Sequence, residues 1–256
     1  MKRCFLLFVV IFQLIAVRAQ TKTAPGLAAI TEEGLKKDLY ALAGDHFRGR
    51  EAGTLDELKA AMWWADLLRK EGLQPAGDDH TYFQFFSMWR NRIAASSTVS
   101  IGGQSMPVWK DVLVAQTAPA VVTAPIVFVG DASTAALANL DINGKAVAVQ
   151  VSAEGINLNV SLPERRYPGY VLRKYAAGLL AKGAVAIIFI ADEMGEKSWS
   201  QVLPALTRGL YDIEDGPNAS TSSKAPVLWI HGRDAALVKN NANLAVQLNV
   251  ERFEYP

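Results

Sequence analysis

Leu35, Leu39 and Leu42 recur at three- and four-residue spacing, which predicts a helix with one buried stripe. Thr31 sits where an N-cap belongs, Glu32 and Glu33 fill the first turn, and Ile30 is placed to staple onto Leu35. That helix should end near Ala43 or Gly44. A second begins at Thr54 and Glu57, which have the spacing of a capping box, and runs to about Glu71 with Gly72 as its stop. Its expected core stripe is Leu58, Ala61, Ala65 and Leu68. Trp63 then falls with Asp56, Lys59, Asp66 and Lys70 on the expected wet face. Two readings of Trp63 stand: it lies under the stem of Lys70, or it marks a surface that something else covers.

From here the period shortens. Tyr82 to Met88 is aromatic enough for a strand after the turn-rich link Pro75 to Asp79. Thr98 to Ile101, Gly102-Gly103 and Ser105 to Val108 predict a hairpin with a two-glycine turn. Val112 to Ala115 and Ile126 to Val129 are further short strand candidates, and Asp141 to Lys145 turns the chain into the apolar strand Ala146 to Val151. Tyr170 to Lys182 has helical spacing and stops at Gly183. Ala184 to Ala191 is a nearly unbroken apolar run, as a strand buried on both faces requires, so a parallel βαβ crossover from Ala146 to Val151 is expected. Ala225 to Ile230 reads as a strand, Ala235 to Lys239 as a short helix, and Leu244 to Val250 closes with clean alternation.

Composition changes this picture at the N-terminus. Lys2 and Arg3 precede an apolar run from Phe5 to Val17, and Val17-Arg18-Ala19 offers small residues where a signal peptidase reads, so cleavage after Ala19 and export to the periplasm or the extracellular space are expected. The run is shorter than the about 20 residues a bilayer span needs, which argues against a stable membrane anchor. Without Lys2, Arg3 and Arg18 the 26 basic residues become 23 against 25 acidic ones, a net charge of −2. No basic cluster of the kind that tracks phosphates remains, so nucleic acid is not an expected partner. The single cysteine, Cys4, leaves with the leader, and 237 of the 256 residues must be held by their core alone.

Candidate chemistry concentrates in Asp45 to Thr54, where Asp45, His46, Arg48, Arg50 and Glu51 crowd a glycine-punctuated loop between the two helices. Such a loop is either a site or a solvated connection whose charges cap its neighbours. Arg48 and Arg50 suit a carboxylate, or a helix-capping salt bridge. The chain has three histidines, His46, His80 and His231, spread along the sequence, with no His-x-Asp pattern and no Glu-Glu pair besides Glu32-Glu33. They read as a helix-end, a turn and a strand-end residue. No catalytic residue and no metal ligand is therefore assigned.

The loop Arg48-Gly49-Arg50-Glu51-Ala52-Gly53-Thr54, the Ala-rich helix after it, Gly72-Leu73-Gln74-Pro75 and Tyr82-Phe83-Gln84 resemble the start of secreted zinc-dependent aminopeptidases of the glutamate-carboxypeptidase and aminopeptidase Y type. Gly144-Lys145, Ala176 to Ile190 with Lys182-Gly183-Ala184 at its centre, and Ala225-Pro226-Val227 look like the protease-associated (PA) domain those enzymes carry. The resemblance implies a mixed α/β chain. Residues 1–19 are then a leader, 20–95 an N-terminal helical segment of a peptidase-type domain, 96–240 a PA-like β-rich α/β domain, and 241–256 a strand returning toward a catalytic domain that this chain lacks. It also implies that Tyr82 to Met88 pairs with Leu244 to Phe253, beginning an incomplete peptidase sheet. Two zinc ions are expected only in that catalytic domain and none in this chain.

The leading expectation is the non-catalytic part of such an enzyme, partnered by the catalytic domain and by peptide or protein substrates. Arg48, Arg50, Glu51 and Trp63 are its candidates for interdomain or ligand contact. The alternative is a free-standing exported module that binds peptides or glycans. A hydrolase built on Asp45, Glu51 or Glu154 needs more than two scattered carboxylates.

Overall fold

The computed structural model describes residues 25–133, 140–213, 224–239 and 242–255. The expected leader at residues 1–19 lies outside them. The chain is a mixed α/β protein that divides into two compact units between Gln84 and Phe85.

The small unit opens with a helical turn at Pro25–Ala28, followed by helix α1 (Glu32–Ala43) and helix α2 (Leu55–Lys70). Thr31 and Thr54 cap them as expected, their hydroxyls accepting from the N–H of Gly34 and Glu57. Glu57 reaches back to the N–H of Gly53, closing the N-terminal frame of α2. At the other end Gly72 takes φ 76°, and the N–H of Leu73 bonds the Leu68 carbonyl, the 6→1 closure of a Schellman motif.

The buried face of α2 matches the expected stripe in part: Ala65 is buried and Ala61 and Leu68 are half-buried, but the face is shifted at its N-terminal end. Asp56, Ala60 and Ala65 are its buried residues, while Leu58 is exposed. Trp63 is half-buried, edge-on to Phe47 with centroids 6.4 Å apart. The reason is Arg48, which neutralises Asp56 and lets the face carrying both Asp56 and Trp63 pack against the loop.

The large unit holds β1 (Met88–Ile93), β2 (Thr98–Ile101), β3 (Gln104–Ser105), β4 (Val112–Val114), β5 (Ala120–Phe128) and β6 (Ala146–Gln150), then helix α3 (Pro163–Ala181). Strand β7 (Ala186–Ile190), helix α4 (Glu193–Arg208), β8 (Leu210–Ile213), β9 (Val227–Ile230), helix α5 (Ala235–Lys239), β10 (Asn243–Leu248) and β11 (Val250–Tyr255) follow. Eight strands form one sheet in the order β3-β2-β10-β5-β6-β7-β9-β4, and β11-β1-β8 form another. Strands β5, β6, β7 and β9 run parallel, with α3 as the expected crossover between β6 and β7.

Alternation along these strands builds two cores. Ala146, Ala148, Ile188, Ile190, Leu228 and Ile230 face one side, with Val238 of α5 and Leu244 of β10. Val147, Val149, Ile187, Phe189, Val227 and Trp229 face the other, beneath Tyr167, Val171, Tyr175 and Leu179 of α3 and Trp199 of α4. Phe189 is fully buried between Tyr175 and Trp229, worth roughly 1.5–3 kcal/mol of transfer free energy.

Two strand expectations need correction. Residues 82–87 form no strand, because the link spends its backbone groups locally: the N–H of Gly77 bonds the Thr81 carbonyl and that of Asp78 the Phe83 carbonyl. The strand is Met88–Ile93. The returning stretch is also two strands. At Asn249 the N–H bonds the Ser97 hydroxyl and the carbonyl accepts from Ala94, so the chain steps from β10 in the large sheet to β11 in the small one. There β11 pairs antiparallel with β1 from Met88↔Tyr255 to Ile93↔Val250.

Candidate functional site

In the small unit the charged loop closes on itself. A short 3-10 turn at Asp45–Phe47 buries Phe47 and carries His46, and Arg48, Gly49 and Arg50 follow with positive φ. This left-handed run returns Arg48 toward the first turn of α2, where its Nε and Nη2 donate to Asp56 Oδ2 at 3.0 and 2.8 Å. Lys59 reaches Oδ1 of the same carboxylate. The hydrogen bond from Arg48 holds the Asp56 carboxyl below the ordinary range, and Asp56 in turn raises the guanidinium of Arg48. The Glu51 carbonyl accepts from the Thr54 hydroxyl, and Arg50 is exposed. Arg48 thus binds Asp56 on α2, and Phe47 meets Trp63 on the same helix. Among the described residues no three His, Cys, Asp or Glu side chains converge as metal ligands do.

The large unit carries a second arrangement, between α3 and α4 over the end of the sheet. Its hub is Asp192, which caps α4 by accepting from the N–H of Gly195 at 2.8 Å. Its other oxygen accepts from the Tyr167 hydroxyl at 2.6 Å and the N–H of Ala153 at 3.0 Å. Burial first, and the bond to Asp192 second, push the Tyr167 phenol well above its ordinary range, so it stays a neutral donor. Gly195 suits the close packing here: a Cβ would stand 3.0 Å from Ala191 Cβ and 3.1 Å from the Trp229 ring, tighter than ordinary contact. Its absence lets the start of α4 settle on Trp229.

One turn along α4, Trp199 stacks on His231, with centroids 3.8 Å apart and planes at 18°. His231 follows β9, and its Nδ1 lies 2.7 Å from Glu196 Oε2. Its Nε2 lies 3.2 Å from the Lys110 carbonyl oxygen. The second Glu196 oxygen accepts from the N–H of Gly232. The Trp199 indole is thus fixed from α4, from the end of β9 and from the turn before β4.

Trp199 and Trp229 are walls of a cavity of about 260 Å³. Leu113, Leu172, Val202 and Leu206 add apolar lining, Pro168 and Gly169 of α3 line it too, and the exposed Arg165 stands at its rim. Sequence reasoning assigned none of these residues. The signal for α4 was present: Asp192 as cap, then Trp199, Val202 and Leu206 at helical spacing. Pro204 inside the helix broke the pattern.

No family model and no curated protein matches the chain. Among solved structures, an aminopeptidase from Aneurinibacillus sp. strain AM-1 is similar at 18% identity and a TM-score of 0.41, over 86% of this chain and 46% of that one. A zinc aminopeptidase from Bacillus subtilis is similar at 16% identity and a TM-score of 0.38, over 85% of this chain and 45% of that one. The chain spans less than half the length of either.

Proposed function

We propose that this chain is the N-terminal segment plus PA-like module of an exported zinc-dependent aminopeptidase, with catalysis residing in a domain outside it. In the whole enzyme that domain would hold two zinc ions and hydrolyse N-terminal peptide bonds. This part would shape substrate access and contact peptide or protein, and Arg48, Arg50, Glu51 and Trp63 are its candidates for the interdomain surface.

The observation that carries the reading is the pairing of β1 with β11. Six residue pairs bring the chain back beside the point where it left for the eight-stranded sheet. An insertion is easiest where its two ends meet, so the sheet module has the geometry of a domain inserted after β1. The order of the motifs, from Arg48-Gly49-Arg50-Glu51 to Ala225-Pro226-Val227, supports the same reading.

Reading the coding sequence beyond Pro256 tests it. An in-frame or adjacent stretch with His-x-Asp and Glu-Glu motifs is expected, and its absence would leave a stand-alone exported peptide- or glycan-binding module. One observation favours that second reading, the apolar cavity with an arginine rim, which lies wholly inside the large unit.

A further inference from the structure

We infer that the cavity between α3 and α4 binds an aromatic carboxylate, its ring between the two indoles and its charge on Arg165. The size selects the class. A cavity of roughly 150 Å³ accepts benzene, and pockets for larger organic ligands run from about 300 Å³ upward. At about 260 Å³ this one holds a single ring with its stem.

The lining selects the ring. Trp199 and Trp229 offer aromatic faces and edges, which favour another aromatic group in offset or edge-to-face contact beyond simple area burial. Their positions are set before any ligand arrives. Trp199 is stacked on His231 and held through Glu196 and the Lys110 carbonyl, while Trp229 packs edge-on against Phe189 and Tyr167. A wall that does not reorganise spends little binding free energy on ordering.

The rim selects the charge. Arg165 is exposed in the first turn of α3, and no carboxylate engages it among the described residues. Its forked donors match a carboxylate in two-point contact. No Asp or Glu lines the cavity, so its interior adds no anion to compete for Arg165. A free aryl acid and the C-terminal aromatic residue of a peptide share this chemistry. The site belongs to the large unit alone and does not depend on an adjoining catalytic domain.

Intrinsic tryptophan fluorescence of the full chain, titrated with N-acetylphenylalanine and with N-acetylphenylalaninamide, tests the inference. The acid is expected to give a saturable change and to bind at least about tenfold more tightly than the amide, as a charge-assisted bond of ordinary strength implies. Arg165→Gln should remove that difference while leaving amide binding and the circular dichroism unchanged. Gly169→Leu should abolish binding of both. It suits a helix, and its Cβ meets nothing nearer than Arg173 Nη1 at 3.8 Å, so the fold should survive. Titrations with 3-phenylpropanoate and with Gly-Gly-Phe then separate the two sources, since the tighter binder names the natural one. Equal affinity for acid and amide, full binding by Arg165→Gln, or full binding by a folded Gly169→Leu would each overturn the assignment.

Discussion

The two units use the same kind of apolar pattern to different ends. In the large unit every residue of β7 is fully buried, and the apolar stripe of α3 lies on the sheet through Val171, Tyr175 and Leu179. In the small unit Leu35 and Leu39 form an equally regular stripe on α1, yet they are 61% and 62% exposed, and no residue of α1 is buried. Leu58, Met62 and Trp64 of α2 are exposed as well. Periodicity thus predicts which side of a helix is apolar, but only a partner surface turns that side into a core. The large unit has its partner in the sheet. The small unit is held by caps, by the Arg48–Asp56 pair and by Phe47 against Trp63.

The sharpest break of this contrast is Phe189→Ala, which should destabilise the large unit by about 3–5 kcal/mol through lost burial and a residual cavity. Hydrogen exchange followed by mass spectrometry should show protection lost across β6, β7 and β9, with residues 31–71 unaffected. Loss of protection in both units together would mean they unfold as one. Tyr167→Phe comes next. It removes one of three donors to Asp192, leaves the two backbone N–H groups, and should cost about 1–2 kcal/mol in chemical denaturation.

A smaller effect is expected in the small unit, and it depends on pH. The Asp56 carboxyl is held below its ordinary range by Arg48, so the stability it contributes is present above the unfolded carboxylate range and is lost as pH falls through the lowered native value. The Trp63 indole resonance, followed through an acid titration, should therefore report loosening that is absent from Asp56→Asn. An identical acid limb in that variant would remove the pair from the account. The smallest effect is predicted for Leu39→Asp, within about 0.5 kcal/mol in the same denaturation assay, as for an exposed site without a partner. A loss of several kcal/mol would show that the α1 stripe is covered and that the contrast between the units is false.

Legibility in the sequence followed the same divide. The parallel strands were readable because Ala184 to Ala191 is an unbroken apolar run that only a doubly covered strand tolerates. The hairpin at Gly102-Gly103 was readable because both glycines take positive φ, as its turn demands. Ala65 was legible as a packed position of α2, whereas Asp56 was not, because it counts as polar until Arg48, eight residues earlier, neutralises it. Residues 82–87 were misread because aromatic content favours a strand, whereas bonds inside the turn at Gly77 to Phe83 decide the backbone. The cavity was invisible, since Arg165, Trp199 and Trp229 come from α3, α4 and β9 and meet only through the βαβ topology.

The measurement that bears most directly on the aminopeptidase account is made on the chain as purified after zinc loading and removal of free metal. Hydrolysis of leucine p-nitroanilide and bound zinc are determined on the same sample. The account predicts no turnover above buffer and no stoichiometric zinc from this chain alone. One or two tightly held zinc ions per chain together with metal-dependent turnover would contradict it.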